Sequence, residues 1–446
     1  MAQTEREQLH ELLERVETRS GQLDGLRQAW DGTRPAAWLS QKSRTALDGK
    51  ISRLGVNIPR LGVRSLAERL RVDGFTGRPA GDGEDDGSAA AWDAWKRAGM
   101  VGLSDLAHTD RTLYGCSFVT VWSSAHDDSR PVAMLDSPRT AAVTRDPATG
   151  EPIRAVRRWS SSGQAHALMM HSDRLTLWRA TAPDAPASFG GWEKTDELDN
   201  PLGVVPMTPL VRRTGSDDWD GTSYVADVLD LSDALAKVLG DAMTTSEYFA
   251  RPRRWATGLE IVEDEDGNPV DPFGEGRLMQ SESPETKFGQ LPSVGLDGYS
   301  DLVAVLTQQA GSLLGLPAHY LGLHGDQPPN SESVRASEAQ LVSTAYAEQR
   351  QLDPDWARVA GLLAAVAQPA DPLDLDSHRP VWASPEVRTP AQAADSATKL
   401  HGIGVPLREL LTDPLGYSPE DADRIAAQQR TDLIMQAGSQ LGRLRP

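Results

Sequence analysis

The sequence runs to 446 residues, 39% hydrophobic and 24% charged, with a formal net charge of −19. Such a length exceeds one ordinary core and predicts two or more domains, while the charge by itself opposes tight nucleic-acid binding, which rests largely on phosphates neutralised by Lys and Arg. No run of about 18 apolar residues occurs, so no membrane span is expected. The single cysteine, Cys116, excludes an internal disulfide and a Cys-based zinc site.

The opening stretch, MAQTEREQLHELLERVETR, is charged throughout and lacks a secretory core, so synthesis in a reducing cytosol is expected. Leu9, Leu12, Leu13, Val16, Leu23 and Leu26 recur at three-to-four spacing and predict a helix over 1–30. A turn at Trp30–Pro35 leads to a second helical stretch reaching about Lys50, which Asn57 and Pro59 interrupt. The pattern is helical again from Leu61 to Leu70 and ends in Arg71–Phe75. Residues 76–90 are Gly- and Asp-rich and read as a loop. A helix from Ala91 to about Thr112 follows, carrying Trp92, Trp95, Met100 and Leu106.

From Leu113 to about Arg213, short alternating apolar runs predict antiparallel sheet. Ser117–Trp122 and Arg154–Trp159 are the clearest strands, and Asp146–Gly150 is a hairpin turn. Helix returns at Ser223, with Val225, Val228, Leu235, Val238, Leu239 and Ala242 on one stripe, and stops before Arg251-Pro252. A compact insertion over 253–296, turning at Asp266-Gly267-Asn268, precedes a helix from about Tyr299 to Leu314. Gly315 and Pro317 end that helix, and Asn330 or Ser331 can cap the next one. The loop of about fifteen residues between them is longer than the usual helix connection. A long helix from Ser331 to Ala367 contains Pro354, which is expected to kink it. The tail is Pro/Asp-rich to about Pro390, then helical near 390–402 and 419–440.

Little in this chain asks for catalysis. The acidic clusters Asp82–Asp86 and Glu263–Asp266 lack the closing glutamate of an EF-hand and read as solvated loops. His319 and His324, five apart around Gly322, lack zinc spacing, and no P-loop or nucleophile elbow is present. Cys116 reads as core filling at a strand start. No catalytic residue, metal site or cofactor is expected.

Four segments in fixed order carry a resemblance. They are Asn57–Phe75 (NIPRLGVRSLAERLRVDGF); WDAWKRAGM followed by LYGCSFVTV; GLPAHYLG followed by NSESVRASEAQL from Asn330 to Leu341; and Leu415–Ile425 (LGYSPEDADRI). This set resembles the portal proteins of tailed phages, particularly those of siphophages of actinobacteria. The resemblance implies an α+β portal fold, with mainly helical stem and crown and a wing containing antiparallel sheet. It places the wing at 1–222, with N-terminal helices to about 112 and a β-rich part at 113–213. Stem helices fall at 223–249 and 297–315, the clip at 250–296, a channel loop at 316–330, a long kinked wing helix at 331–370 and the crown at 371–446. It further implies a homo-oligomeric ring of usually twelve subunits at one capsid vertex, in the virion, through which double-stranded DNA is packaged and ejected. The major capsid protein, the head–tail adaptor protein, the terminase large subunit and a scaffolding protein are the implied partners; no membrane is. The alternatives are another phage head structural protein or a phage-encoded hydrolytic enzyme.

Within that plan the DNA-facing loop is Leu323, His324, Gly325, Asp326, Gln327, Pro328, Pro329 and Asn330, stiffened by its two prolines. Asp227, Asp230, Asp233 and Asp241, against a single Lys237, are the candidate channel lining; their plain reading is a solvated helix face. Arg251, Arg253 and Arg254 are candidates for contact with the adaptor or a neighbouring copy, or with DNA.

Overall fold

The computed structural model describes residues 4–34, 56–77, 87–188, 190–250, 254–258, 284–290, 296–323, 331–369, 371–386 and 389–443. The acidic clusters at Asp82–Asp86 and Glu263–Asp266, the helical stretch toward Lys50 and the turn at Asp266–Asn268 lie outside them. The chain forms two compact units: Met1–Asp31 with Asn57–Leu229 and Gly311–Pro446, and Gly32–Val56 with Asp230–Ala310.

In the larger unit, helix α1 (Glu5–Asp31) follows the predicted stripe. Its Leu9, Leu12, Leu13 and Val16 pack against Val156, Met169, Trp178 and Trp192 of the β-rich region. Full burial of each leucine is worth about 2 kcal/mol, which makes this stripe the adhesive between helix and sheet. Helix α2 (Ile58–Ala67) starts after a non-helical Asn57, three residues before the predicted Leu61, with Pro59 in its first turn. An N-terminal proline gives up only an N–H that would have no helical partner anyway. Arg71–Phe75 does not simply end a helix: Val72–Thr76 is strand β1, paired antiparallel with β12 (Arg379–Trp382) in the Pro/Asp-rich tail. The helix expected over Ala91–Thr112 is two, α3 (Ser88–Arg97) and α4 (Met100–Tyr114), broken at Gly99 with φ +74°.

The predicted antiparallel region divides into two sheets. Strands β2 (Cys116–Ser124), β3 (Asp127–Asp136) and β9 (Met207–Val211) pair in the order β3-β2-β9. Strands β4 (Ala141–Arg145), β5 (Pro152–Ser161), β6 (Gln164–Met170), β7 (Arg174–Ala180) and β8 (Glu193–Asp199) form a five-stranded meander. Its edge strand β8, EKTDELD, is exposed at every position, and its charges discourage pairing with another chain. The Asp146–Gly150 turn joins β4 to β5 as expected, with the Gly150 amide donating to the Asp146 carbonyl at 2.7 Å.

The helix expected to return at Ser223 is instead a 3-10 turn (Ala226–Val228), still in the larger unit, followed by α5 (Leu229–Ala250), which enters the smaller one. The insertion contributes a two-stranded hairpin, β10 (Arg254–Thr257) with β11 (Lys287–Gln290), and α6 (Asp297–Leu313) follows. Hydroxyls of Thr245 and Tyr299 meet at 3.2 Å between α5 and α6.

Helix α7 spans Ser331–Ala367 as the sequence predicts and continues through Pro354. That proline faces solvent, where the carbonyl it cannot serve is free to bind water. Two residues later Trp356 is fully buried, edge-on to Trp95 at 5.2 Å, and Trp95 in turn meets Phe75 at 5.1 Å. The tail holds α8 (Pro390–Gly402), closed by a Thr389–Gln392 capping box, and α10 (Pro419–Arg443), with a short α9 (Leu407–Thr412) that periodicity did not indicate.

Candidate functional site

The passage from α6 to α7 is built in three steps. Gly315, with φ +58°, turns the chain out of α6, and the Leu316 amide reaches back to the Gly311 carbonyl at 2.8 Å. The Tyr224 hydroxyl donates to the Leu314 carbonyl beside this turn. A 3-10 turn over Ala318–Leu321 then occupies part of what the sequence presents as a featureless loop, closed by the Leu323 amide on the Ala318 carbonyl at 3.1 Å. Of the eight loop residues singled out, Leu323 is described; His324, Gly325, Asp326, Gln327, Pro328, Pro329 and Asn330 lie outside the described residues. The His319–His324 pair falls partly outside for the same reason.

A charged cluster anchors both ends of this passage. Arg69, just past α2, donates through Nη2 to Tyr320 Oη at 3.2 Å and to Glu338 Oε2 at 3.2 Å. Tyr320 Oη donates to Glu338 Oε1 at 3.1 Å, and His319 Nε2 lies 3.8 Å from the same oxygen. The Arg69 and Glu338 side chains are only 11% and 9% exposed, so neither charge is tolerable without the other. The clamp therefore ties the 3-10 turn before the loop to α7 after it, and both to α2. Sequence reasoning missed it, although its members sit inside quoted strings: Arg69 in Asn57–Phe75, Tyr320 in GLPAHYLG and Glu338 in Asn330–Leu341. Only the fold shows that these strings meet.

A second buried network supports α7. Glu348 accepts from Arg111 Nη1 at 2.5 Å and from Arg212 Nε at 2.8 Å, and Gln351 Oε1 accepts from Arg111 Nη2 at 3.2 Å. Burial lowers the Arg111 pKa, and Glu348 opposes that shift. Close by, burial pushes the Asp355 carboxyl up to about 7 against the pull of Arg145 and Arg111. His108 accepts from Trp356 Nε1 at 3.0 Å and is held neutral by burial down to about pH 3.

The four aspartates do not form one uniform acidic face. Asp233 is 10% exposed and held by the Arg34 fork at 2.6 and 2.9 Å, while Asp241 pairs with Lys237 one turn earlier. Asp227 and Asp230 are exposed and make no ion pair among the described residues. Arg251 and Arg253 lie outside the described residues. Arg254 opens β10, in register with Gln290.

Among the described residues no group of three or more His, Cys, Asp or Glu is placed to hold a metal ion. No described helix is long and apolar enough to cross a membrane. Cys116 begins β2 and is buried.

The portal proteins of Mycobacterium phages L5 and D29 are each 28% identical to this chain over 401 residues, covering 86% of it and 80% of their own length. Among solved structures, the virion of a native gene transfer agent particle aligns with a TM-score of 0.44 at 13% identity, over 87% of this chain and 98% of its own. The neck of that native particle, computed with C12 symmetry, aligns with a TM-score of 0.44 at 13% identity, over 85% and 94%. The model of the family "Phage portal protein, SPP1 Gp6-like" matches residues 26–433, and the chain belongs to that portal protein family.

Proposed function

We propose that copies of this chain assemble into a ring of usually twelve subunits at one capsid vertex, with double-stranded DNA passing along its axis during packaging and ejection. The family match across 26–433 carries this reading. The terminase large subunit, the head–tail adaptor, the major capsid protein and a scaffolding protein are its partners. The role is structural, and no reaction is assigned to the chain's own residues.

The smaller unit supports the stem-and-clip reading, since Asp230–Ala310 corresponds to the predicted helix–insertion–helix stretch. Met243 on α5 and Leu302 and Val305 on α6 are 52%, 44% and 49% exposed, and assembly would cover this apolar surface. Asp227 and Asp230 are the wall carboxylates of the proposal; Asp233 and Asp241 already hold intramolecular partners. A channel lined by unpaired carboxylates repels a polyanion and lets it slide. The loop 323–330, leaving the Arg69–Glu338 clamp, is the part that approaches DNA.

A photocrosslinking residue placed at Asp230, or at Gly325, in assembled DNA-filled particles tests this arrangement. Covalent attachment to DNA is expected at both positions and not at Asp24, on α1. Attachment at neither would reject the channel assignment.

A further inference from the structure

A pocket of about 510 Å³ lies in the larger unit, away from the loop and its clamp. Its apolar wall includes Trp122 from β2, Leu198 from β8 and Val366 near the end of α7. Leu198 is 53% exposed on the outer strand of the meander, and Trp122 is half-buried against the core cluster that holds Cys116 and Phe118. Three carboxylates line the same pocket from three distant parts of the chain: Asp128 in β3, Asp199 closing β8 and Asp371 just beyond α7.

None of the three makes an ion pair among the described residues. An occupant with uncharged or acidic flanks gains nothing from this exposed acidic rim. An occupant carrying cations around an apolar anchor gains on both counts, because complementary charge fixes register and the buried anchor supplies affinity. The same rim excludes nucleic acid.

We infer that this pocket docks a segment of another protein that carries an apolar or aromatic anchor flanked by arginine or lysine. It is a partner site separate from the proposed channel and does not depend on DNA passage.

The probe is a fluorescein-labelled synthetic peptide with a central Leu-Trp pair between two Arg-Arg pairs, titrated into the full chain and followed by anisotropy. Saturable binding is expected, at least tenfold weaker for the control peptide in which alanines replace the Leu-Trp pair. The triple variant Asp128→Asn/Asp199→Asn/Asp371→Asn, and separately Leu198→Arg, should each weaken binding at least tenfold with unchanged circular dichroism. Both sets of substitutions lie at exposed positions. Equal binding of the two peptides would reveal mere attraction to an acidic protein and overturn the proposal, as would binding indifferent to both variants. Binding to the unassembled chain that disappears on assembly would give the pocket to a neighbouring copy and overturn it equally.

Discussion

Arg69 and Glu338 stand 269 residues apart in sequence and meet at 3.2 Å, nearly buried, with the Tyr320 hydroxyl bonded to both. Each group belongs to a different segment, so the clamp makes the conformation of the loop's root depend on α2 and α7 together. In the proposed ring, where this loop approaches DNA, the clamp gives it a stiff base.

Removing one side of this pair should therefore be costly. Arg69→Met leaves a buried carboxylate and is expected to lose about 3–5 kcal/mol of stability. Tyr320→Phe removes a hydroxyl alone and should lose about 1 kcal/mol. Denaturant unfolding gives the magnitudes, and hydrogen exchange should show faster amide exchange over 316–323. Unchanged exchange there would mean that the clamp does not hold the loop.

Glu348 joins two arginines in the core beside α7. Glu348→Ala strands both cations and should cost about 3–5 kcal/mol, while Glu348→Gln keeps some of the hydrogen bonds and should cost less. Thermal melts of both variants check the order; a Gln variant as unstable as the Ala variant would show that charge, rather than bonding, dominates.

Two buried groups predict opposite pH dependences. Burial raises the Asp355 pKa from an ordinary 3.8 to about 7, so the folded state binds a proton that the unfolded state releases. The stability this contributes is complete below about pH 4 and is lost as pH rises to about 7. Asp355→Asn should thus raise the melting temperature at pH 8 and leave it nearly unchanged at pH 4. Burial instead lowers the His108 pKa from 6.5 to about 3, so stability is lost as pH falls from 6.5 toward 3. His108→Gln should flatten that acid limb; equal pH profiles for variant and parent would refute the assignment.

In the proposed ring the exposed Asp227 and Asp230 line the channel wall. Asp227→Lys/Asp230→Lys should tighten DNA binding by the assembled protein. The logarithmic salt dependence should steepen by about 0.9 for each phosphate newly neutralised. An unchanged salt slope would place these residues away from DNA.

Much of this fold was legible because its signals are local. The α1 stripe, the Asp146–Gly150 turn and the whole of α7 follow from periodicity and breakers that act within a few residues. The β1–β12 pairing was not legible, since each strand is short and finds its partner some 300 residues away through hydrogen bonds that leave no pattern in either segment. The 3-10 turn at Ala318–Leu321 was hidden for a similar reason: it is held by the clamp as much as by its own composition. Among the aspartates, Asp230 and Asp233 look alike in sequence, and Arg34, nearly 200 positions earlier, makes them different. The family, by contrast, was visible in the order of the strings, which also hold Arg69, Tyr320 and Glu338.

Native mass spectrometry of the purified full chain, with negative-stain imaging of the same sample, tests the ring most directly. The account predicts closed particles with a central hole and a mass near twelve times 48.2 kDa. A chain that remains monomeric at every concentration and salt would contradict it.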